Sequence, residues 1–189
     1  MERCGWVGKE AIYEAYHDEE WGVPEYDSRT LWEKLVLDGF QAGLSWITIL
    51  KKRDNFRAAF AGFDPDVIAG WGESDIERLL GDKGIVRHRG KIKATISNAQ
   101  VWQKIEADQG FDRFLWDYLD GKPLCNHWPS LANVPAFTPL SQQISKDLKK
   151  AGFKFCGPTI VYAFMQAVGM INDHLVDCAR HAEVSALAR

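Results

Sequence analysis

Residues 84–91 read Gly84-Ile85-Val86-Arg87-His88-Arg89-Gly90-Lys91, a basic connection with a glycine toward each end. Glycines at such a place allow positive φ and close backbone approach, and the stretch joins two segments of helical pattern. Upstream, Ser74 and Glu77 stand at capping-box spacing before Leu79 and Leu80. Downstream from Gly90, Ile92, Ile96, Ala99 and Val101 carry a long helical repeat.

The same pattern extends outward on both sides. Toward the N-terminus, Asp64-Pro65 begins a helix with proline in its first turn, and Trp46 to Phe60 reads as one helical segment. Asp27 and Ser28 offer caps for a helix starting near Thr30, with Leu31, Leu35 and Val36 on one face. Toward the C-terminus, a short aromatic helix covers Phe111 to Leu119, and an irregular connection with four prolines spans about Gly121 to Pro139. Ser141 to Lys150 is amphipathic, and an apolar helix starts at Pro158 and runs through Ile160, Phe164 and Val168, with an extension beyond Gly169 open. No run alternates with period two, and there is no repeat. The expected fold is all-α, with residues 1–189 forming one compact, at most bilobal, domain.

Composition narrows the class. The chain has 189 residues, 46% apolar and 26% charged, the balance of a soluble globular protein with a sizeable core. A formal net charge of -3 does not announce a nucleic-acid binder, so any DNA contact would rest on local basic patches. Eight Trp and ten Phe suit either a core or a pocket for a flat ligand. The opening Met1-Glu2-Arg3-Cys4-Gly5-Trp6 lacks the pattern of a signal peptide, and no stretch approaches the ~20 apolar residues of a membrane span. The expectation is a cytoplasmic protein making no membrane contact, with four cysteines reduced or metal-bound.

Two constellations carry chemistry. His174 and Cys178 sit four apart, on one face if the segment is helical, and Cys4 and His17 supply a second pair. Two Cys and two His close a tetrahedral zinc shell with no position left for water. Spacing alone leaves buried apolar cysteines and hydrogen-bonded histidines as an equal alternative. In the second constellation, Trp6, Tyr13, Tyr16, Trp21 and Trp46 surround in sequence a single carboxylate, Asp38, set among Leu35, Val36, Leu37 and Phe40. Aromatic faces beside a carboxylate suit a flat cation. A helix-terminal acid near Gly39 and an aromatic core remain the plainer account.

Two further stretches offer contacts to nucleic acid. Gln41-Ala42-Gly43-Leu44-Ser45 interrupts the helical pattern and makes a tip on which Leu44 projects as a wedge between bases. The 84–91 connection resembles a helix–hairpin–helix element, in which backbone N–H groups of Gly84 and Gly90 with Arg87, Arg89 and Lys91 hold a phosphate. A solvated charged turn is the alternative.

Taken in order, several motifs resemble the bacterial 3-methyladenine DNA glycosylase I family of the helix–hairpin–helix glycosylase superfamily. They are Met1 to Trp6, Tyr16-His17-Asp18, Trp21-Gly22-Val23-Pro24, Gln41 to Trp46, Gly84-Ile85, Arg87 to Ile92, Gly152-Phe153-Lys154-Phe155, and Asn172-Asp173-His174 with Cys178. The resemblance spans nearly the whole chain. It implies a monomeric DNA-repair enzyme that flips 3-methyladenine out of alkylated double-stranded DNA and excises it hydrolytically. An abasic site is left, and with no lysine placed as a Schiff-base nucleophile, strand cleavage is not expected. It also implies a structural Zn2+ on Cys4, His17, His174 and Cys178, stacking of the base on Trp46, and contacts from Tyr16 and Asp38. Trp6, Tyr13 and Trp21 would line the pocket. The best-known members carry Glu where this chain has Asp38, which keeps the charge but sets it about one methylene back. Two rivals stay open: a zinc hydrolase with the four ligands as an open catalytic site, and a zinc-stapled DNA-binding module without catalysis.

Overall fold

The computed structural model describes residues 2–187. Eleven α-helices carry the described chain, together with short turns of wider or tighter helix. The core helix is α2 (Ser28–Gln41), which buries Leu31, Trp32, Leu35, Val36, Leu37 and Phe40. Asp27 caps it, its carboxylate accepting the Thr30 N–H at 2.8 Å. Against α2 pack α7 (Arg89–Asp108), α8 (Phe111–Trp116) and the apolar α10 (Pro158–Ala167). α9 (Pro139–Ala151) covers α10, while α5 (Pro65–Ile68) and α6 (Glu73–Gly81) lie on α7.

Several boundaries differ from the sequence reading. The segment from Trp46 to Phe60 is two helices, α3 (Trp46–Leu50) and α4 (Arg53–Ala59). The break falls where Lys52 takes φ -103°, ψ -1° and sends its ammonium to the carbonyls of Lys83 and Gly84, at 3.1 and 3.2 Å. Ser74 is not a cap. Trp71 packs on Phe60, the chain turns at Gly72, and Asp75 accepts the Gly72 N–H at 3.1 Å. Likewise α9 starts before Ser141, because Thr138 and Ser141 exchange side-chain caps ahead of Pro139.

The proline-rich connection contributes one short parallel pairing, β1 (Leu124–Cys125) with β2 (Ile171–Asn172). The α10 helix stops short of Gly169, whose φ is +67°. A Cβ there would land on the Val23–Pro24 peptide, so only glycine lets the N-terminal segment lie this close. Glu25 N–H then donates to the Val168 carbonyl at 3.0 Å, which pins residues 21–25 beside β2. Among the described residues no helix is long and apolar enough to cross a membrane.

Candidate functional site

The N-terminal helix α1 (Ala11–Ala15) runs directly into a wider, π-type turn, Tyr16–Glu20, closed by Trp21 N–H donating to the Tyr16 carbonyl at 2.9 Å. The turn buries two consecutive side chains, Tyr16 and His17, in two different places. Tyr16 enters an aromatic cavity. His17 enters a cluster with Cys4, His174 and Cys178.

All four residues of that cluster are buried, and one ligand atom of each lies within 4.8 Å of the others. The N···S separations are 3.7 Å from Cys4 Sγ to His174 Nδ1, 3.6 Å from Cys178 Sγ to the same atom, and 3.5 Å from Cys178 Sγ to His17 Nε2. Tetrahedral zinc, with Zn–S about 2.3 Å and Zn–N about 2.0 Å, requires ligand atoms about 3.5 Å apart. The outer partners also fix the tautomers. A carboxylate can only accept, so His17 Nδ1–H donates to Asp18 at 2.8 Å and leaves Nε2 as a lone-pair donor. The Trp21 carbonyl does the same for His174, taking Nε2–H at 3.0 Å and leaving Nδ1. Arg3 clamps Asp18 through Nε and Nη2, at 2.9 and 2.7 Å, and holds its carboxyl down at about 2.

Burial pushes the His174 imidazole down to about 4 and the Cys4 thiol up to about 12. Neutral imidazoles are what a metal needs, and a divalent cation is what would convert such thiols to thiolates. The donor set therefore fits a structural metal. The expectation that His174 and Cys178 project from a helix is corrected: residues 173–178 form a turn after β2, and Cys178 caps α11 (Ala179–Ser185). The His174 N–H donates to Asn172 Oδ1 at 3.2 Å, which shapes that turn.

The aromatic cavity adjoins this cluster and holds about 180 Å³. Trp6, Tyr13, Tyr16, Trp21, Asp38, Gln41 and Trp46 all line it. The cavity and the cluster share a wall. Trp6 packs on Tyr13 at 5.1 Å, on Trp21 at 5.0 Å and on His17 at 5.4 Å, and Trp21 packs on His174 at 4.6 Å between centroids. Tyr16 and Trp46 face one another at 5.3 Å on the other side. Asp38 is only 1% exposed, and its Oδ2 has no hydrogen-bond partner among the described residues. Burial raises its carboxyl and also raises the Tyr16 phenol, to which the Asp38 charge adds.

Sequence reasoning missed several cavity residues. Lys34, one turn before Asp38, pairs with Asp38 Oδ1 at 2.7 Å, and its ammonium lies 3.5 Å from the Trp46 ring centroid. The i,i+4 spacing was the available signal. Leu131 and Val134 come from the proline-rich connection, and Gln166 and Asp173 complete the wall. Asp173 is 2% exposed and accepts four bonds, from Asn126 (2.7 Å), Trp128 (2.8 Å), Tyr162 (2.5 Å) and Gln166 (2.8 Å). It fastens the connection to α10 beside His174.

The remaining expected residues lie outside the cavity, apart from Gln41. Gly43, at φ +81°, turns the chain between α2 and α3 and leaves Leu44 43% exposed at the tip. Residues 82–88 join α6 to α7, with Arg87 exposed and Gly84 N–H donating to Asp82 at 2.7 Å. Gly90 sits in the first turn of α7 beside the His88 ring. Two of the cations expected to meet phosphate are otherwise engaged. Arg89 pairs with Glu73 and Glu77, and Lys91 is buried, donating to the carbonyls of Phe40 and Ala42 at 2.7 and 2.6 Å. Lys91 caps the end of α2, which no linear pattern announced.

Comparison with known proteins identifies the family. The profile of the family described as methyladenine glycosylase matches residues 6–181. The chain is 52% identical over 179 residues to DNA-3-methyladenine glycosylase 1 of Escherichia coli K12, covering 94% of this chain and 96% of the relative. A crystal structure of 3-methyladenine DNA glycosylase I superposes with a TM-score of 0.93 at 54% identity, covering 94% and 98% of the two chains. A tyrosine-to-phenylalanine variant of 3-methyladenine DNA glycosylase I, solved with 3-methyladenine bound, gives 0.91 at 41% identity over 95% and 97%. With its buried carboxylate, aromatic cavity and matching fold, the chain belongs to the methyladenine glycosylase family.

Proposed function

We propose that the protein is a DNA-repair N-glycosylase that flips 3-methyladenine from alkylated double-stranded DNA and excises it hydrolytically, leaving an abasic site without cutting the strand. The observation that carries this reading is Asp38: a fully buried carboxylate with one unpartnered oxygen, opening into an aromatic cavity. A buried acceptor without a donor is costly unless a ligand supplies one. The exocyclic amino group of a methylated adenine is such a donor, and its positive charge gains from both Asp38 and the faces of Trp46 and Tyr16. Trp46 stacks on the base, Tyr16 and Asp38 contact it, and Trp6, Tyr13 and Trp21 enclose it.

Methylation at N3 makes the base a cation and a ready leaving group. The protein's task is to hold the base out of the stack and admit water at the sugar. Neutral adenine lacks both the charge and the weakened bond, so it would survive even if it entered. Leu44, on the Gly43 tip beside Gln41, fills the gap in the duplex, and the 82–88 hairpin between α6 and α7 presents backbone N–H groups and Arg87 to phosphate as a helix–hairpin–helix element. Extrusion costs a few kcal/mol, less where methylation has weakened pairing.

Cys4, His17, His174 and Cys178 would hold a zinc ion that braces the cavity wall. Four protein ligands leave no open position for a reacting water, which disfavours the hydrolase alternative. The test is to incubate the protein, working as a monomer, with methylated duplex DNA and identify free bases by chromatography. Release of 3-methyladenine without strand cleavage is expected; binding without release would leave a non-catalytic module.

A further inference from the structure

Lys34 sits where the base is expected. Its Nζ lies 3.5 Å from the Trp46 ring centroid and 2.7 Å from Asp38 Oδ1, and 5.9 Å from the Tyr16 centroid. Atoms in contact across a stacked pair are about 3.5–4.0 Å apart. An ammonium at 3.5 Å and a base stacked on that face therefore claim one volume. The two also use the same interactions, a cation over Trp46 and a charge-assisted bond to Asp38. Without Lys34 the empty cavity would hold an uncompensated buried carboxylate, the arrangement proteins tolerate least.

Lys34 also has another place to go. Behind it lies a second cavity of about 240 Å³, which shares Tyr16 and Lys34 with the first and is walled by Glu19, Glu20 and Glu25. Glu20 is paired with Arg53, at 2.5 and 2.8 Å, and Glu25 accepts the N–H groups of Tyr26 and Asp27. Glu19 has no side-chain partner among the described residues. The lysine stem thus separates an aromatic cavity, whose two carboxylates are Asp38 and the fully hydrogen-bonded Asp173, from an acidic cavity with three.

We propose that Lys34 is an internal cation that occupies the Trp46–Asp38 seat in the empty protein and withdraws toward Glu19 when a cationic base takes its place. Binding is then an exchange of one cation for another, and Asp38 is never left bare. A neutral base offers Asp38 nothing in return for the ammonium, so the lysine keeps it out. Lys34 is in this sense a specificity-determining residue. The inference rests on the reading of the cavity as the base site.

The test uses 3,9-dimethyladeninium, in which a methyl group stands in for the sugar and the charge is permanent. Its affinity for wild-type protein and for Lys34→Met is read by titration calorimetry. Removing the competitor is expected to tighten binding at least tenfold; unchanged or weaker binding by folded Lys34→Met overturns the proposal. A crystal of the wild-type complex decides the matter even if that variant does not fold. There the Lys34 ammonium is expected on the acidic side with the base over Trp46. An ammonium still over Trp46, or a Trp46 face without the base, overturns the exchange. Excision of 3-methyladenine from methylated duplex, assayed on the same preparation, separates the two failures: excision without exchange removes only the role of Lys34.

Discussion

Replacing Asp38 by Asn removes one charge while keeping nearly the same shape. A cation about 4 Å from a carboxylate gains about 4 kcal/mol at an effective dielectric of 20, nearly a thousandfold in binding. In this protein the incoming cation exchanges with Lys34, already 2.7 Å from Asp38, so part of that gain is offset. We therefore expect kcat/KM to fall roughly 100-fold, about 2.7 kcal/mol of transition-state stabilisation. Stability falls too, because Lys34 loses its partner. Breaking a buried pair from one side costs about 3–5 kcal/mol, an upper bound here because the Lys34 side chain keeps 14% exposure and its contact with Trp46. At about 2–4 °C per kcal/mol, Tm should drop by no more than about 10–20 °C. The assay is chromatography of bases released from dimethyl-sulfate-treated duplex, alongside circular dichroism. A folded Asp38→Asn protein that excises 3-methyladenine with wild-type kinetics would refute the role given to this carboxylate.

Other perturbations separate the remaining roles. Trp46→Ala should weaken base binding by about 1–3 kcal/mol, the usual worth of one stacked base, as seen by calorimetry with 3,9-dimethyladeninium. Asp18→Asn unties His17 from Arg3 and should lower zinc affinity about 10–100-fold in a chelator competition, with little direct effect on the cavity. Lys91→Met strips the donor from two carbonyls and should cost about 1–3 kcal/mol in denaturant unfolding while leaving the salt dependence of DNA binding unchanged. Arg87→Ala should do the reverse, lowering the salt slope by about 0.9 with stability intact.

The sequence announced helices wherever a cap and an apolar face coincided, as at Asp27 with Leu31 and Leu35 or at Asp64-Pro65. It did not announce breaks that depend on distant partners. Lys52 ends α3 by reaching carbonyls 31 and 32 residues away, and Trp71 makes Gly72 a cap by packing on Phe60. Residue types offered Cys4, His17, His174 and Cys178 as one cluster only on equal terms with buried cysteines and hydrogen-bonded histidines; the family resemblance favoured the cluster, and the helix invoked for its C-terminal pair is a turn. Lys34 escaped notice because a lysine on an amphipathic helix ordinarily faces solvent. Only the packing of Trp46 over α2 turns it inward. Arg89 and Lys91 show the opposite error, since local basicity said nothing of the glutamates and carbonyls that engage them.

The clasp that joins Cys4 and His17 to His174 and Cys178 also sets an order of events during synthesis. Cys4 and His174 are 170 residues apart in the chain. At 5–20 residues per second, roughly 10–35 s pass during which the N-terminal ligands exist without their partners. Trp6 and Trp21 stand against the two histidines, so the far wall of the cavity cannot set until the last turn has been made. A nascent or truncated chain holds Asp38 and Trp46 but no enclosed seat for a base. Competence to bind damage thus arrives at once and late, when Cys4 and His17 meet His174 and Cys178.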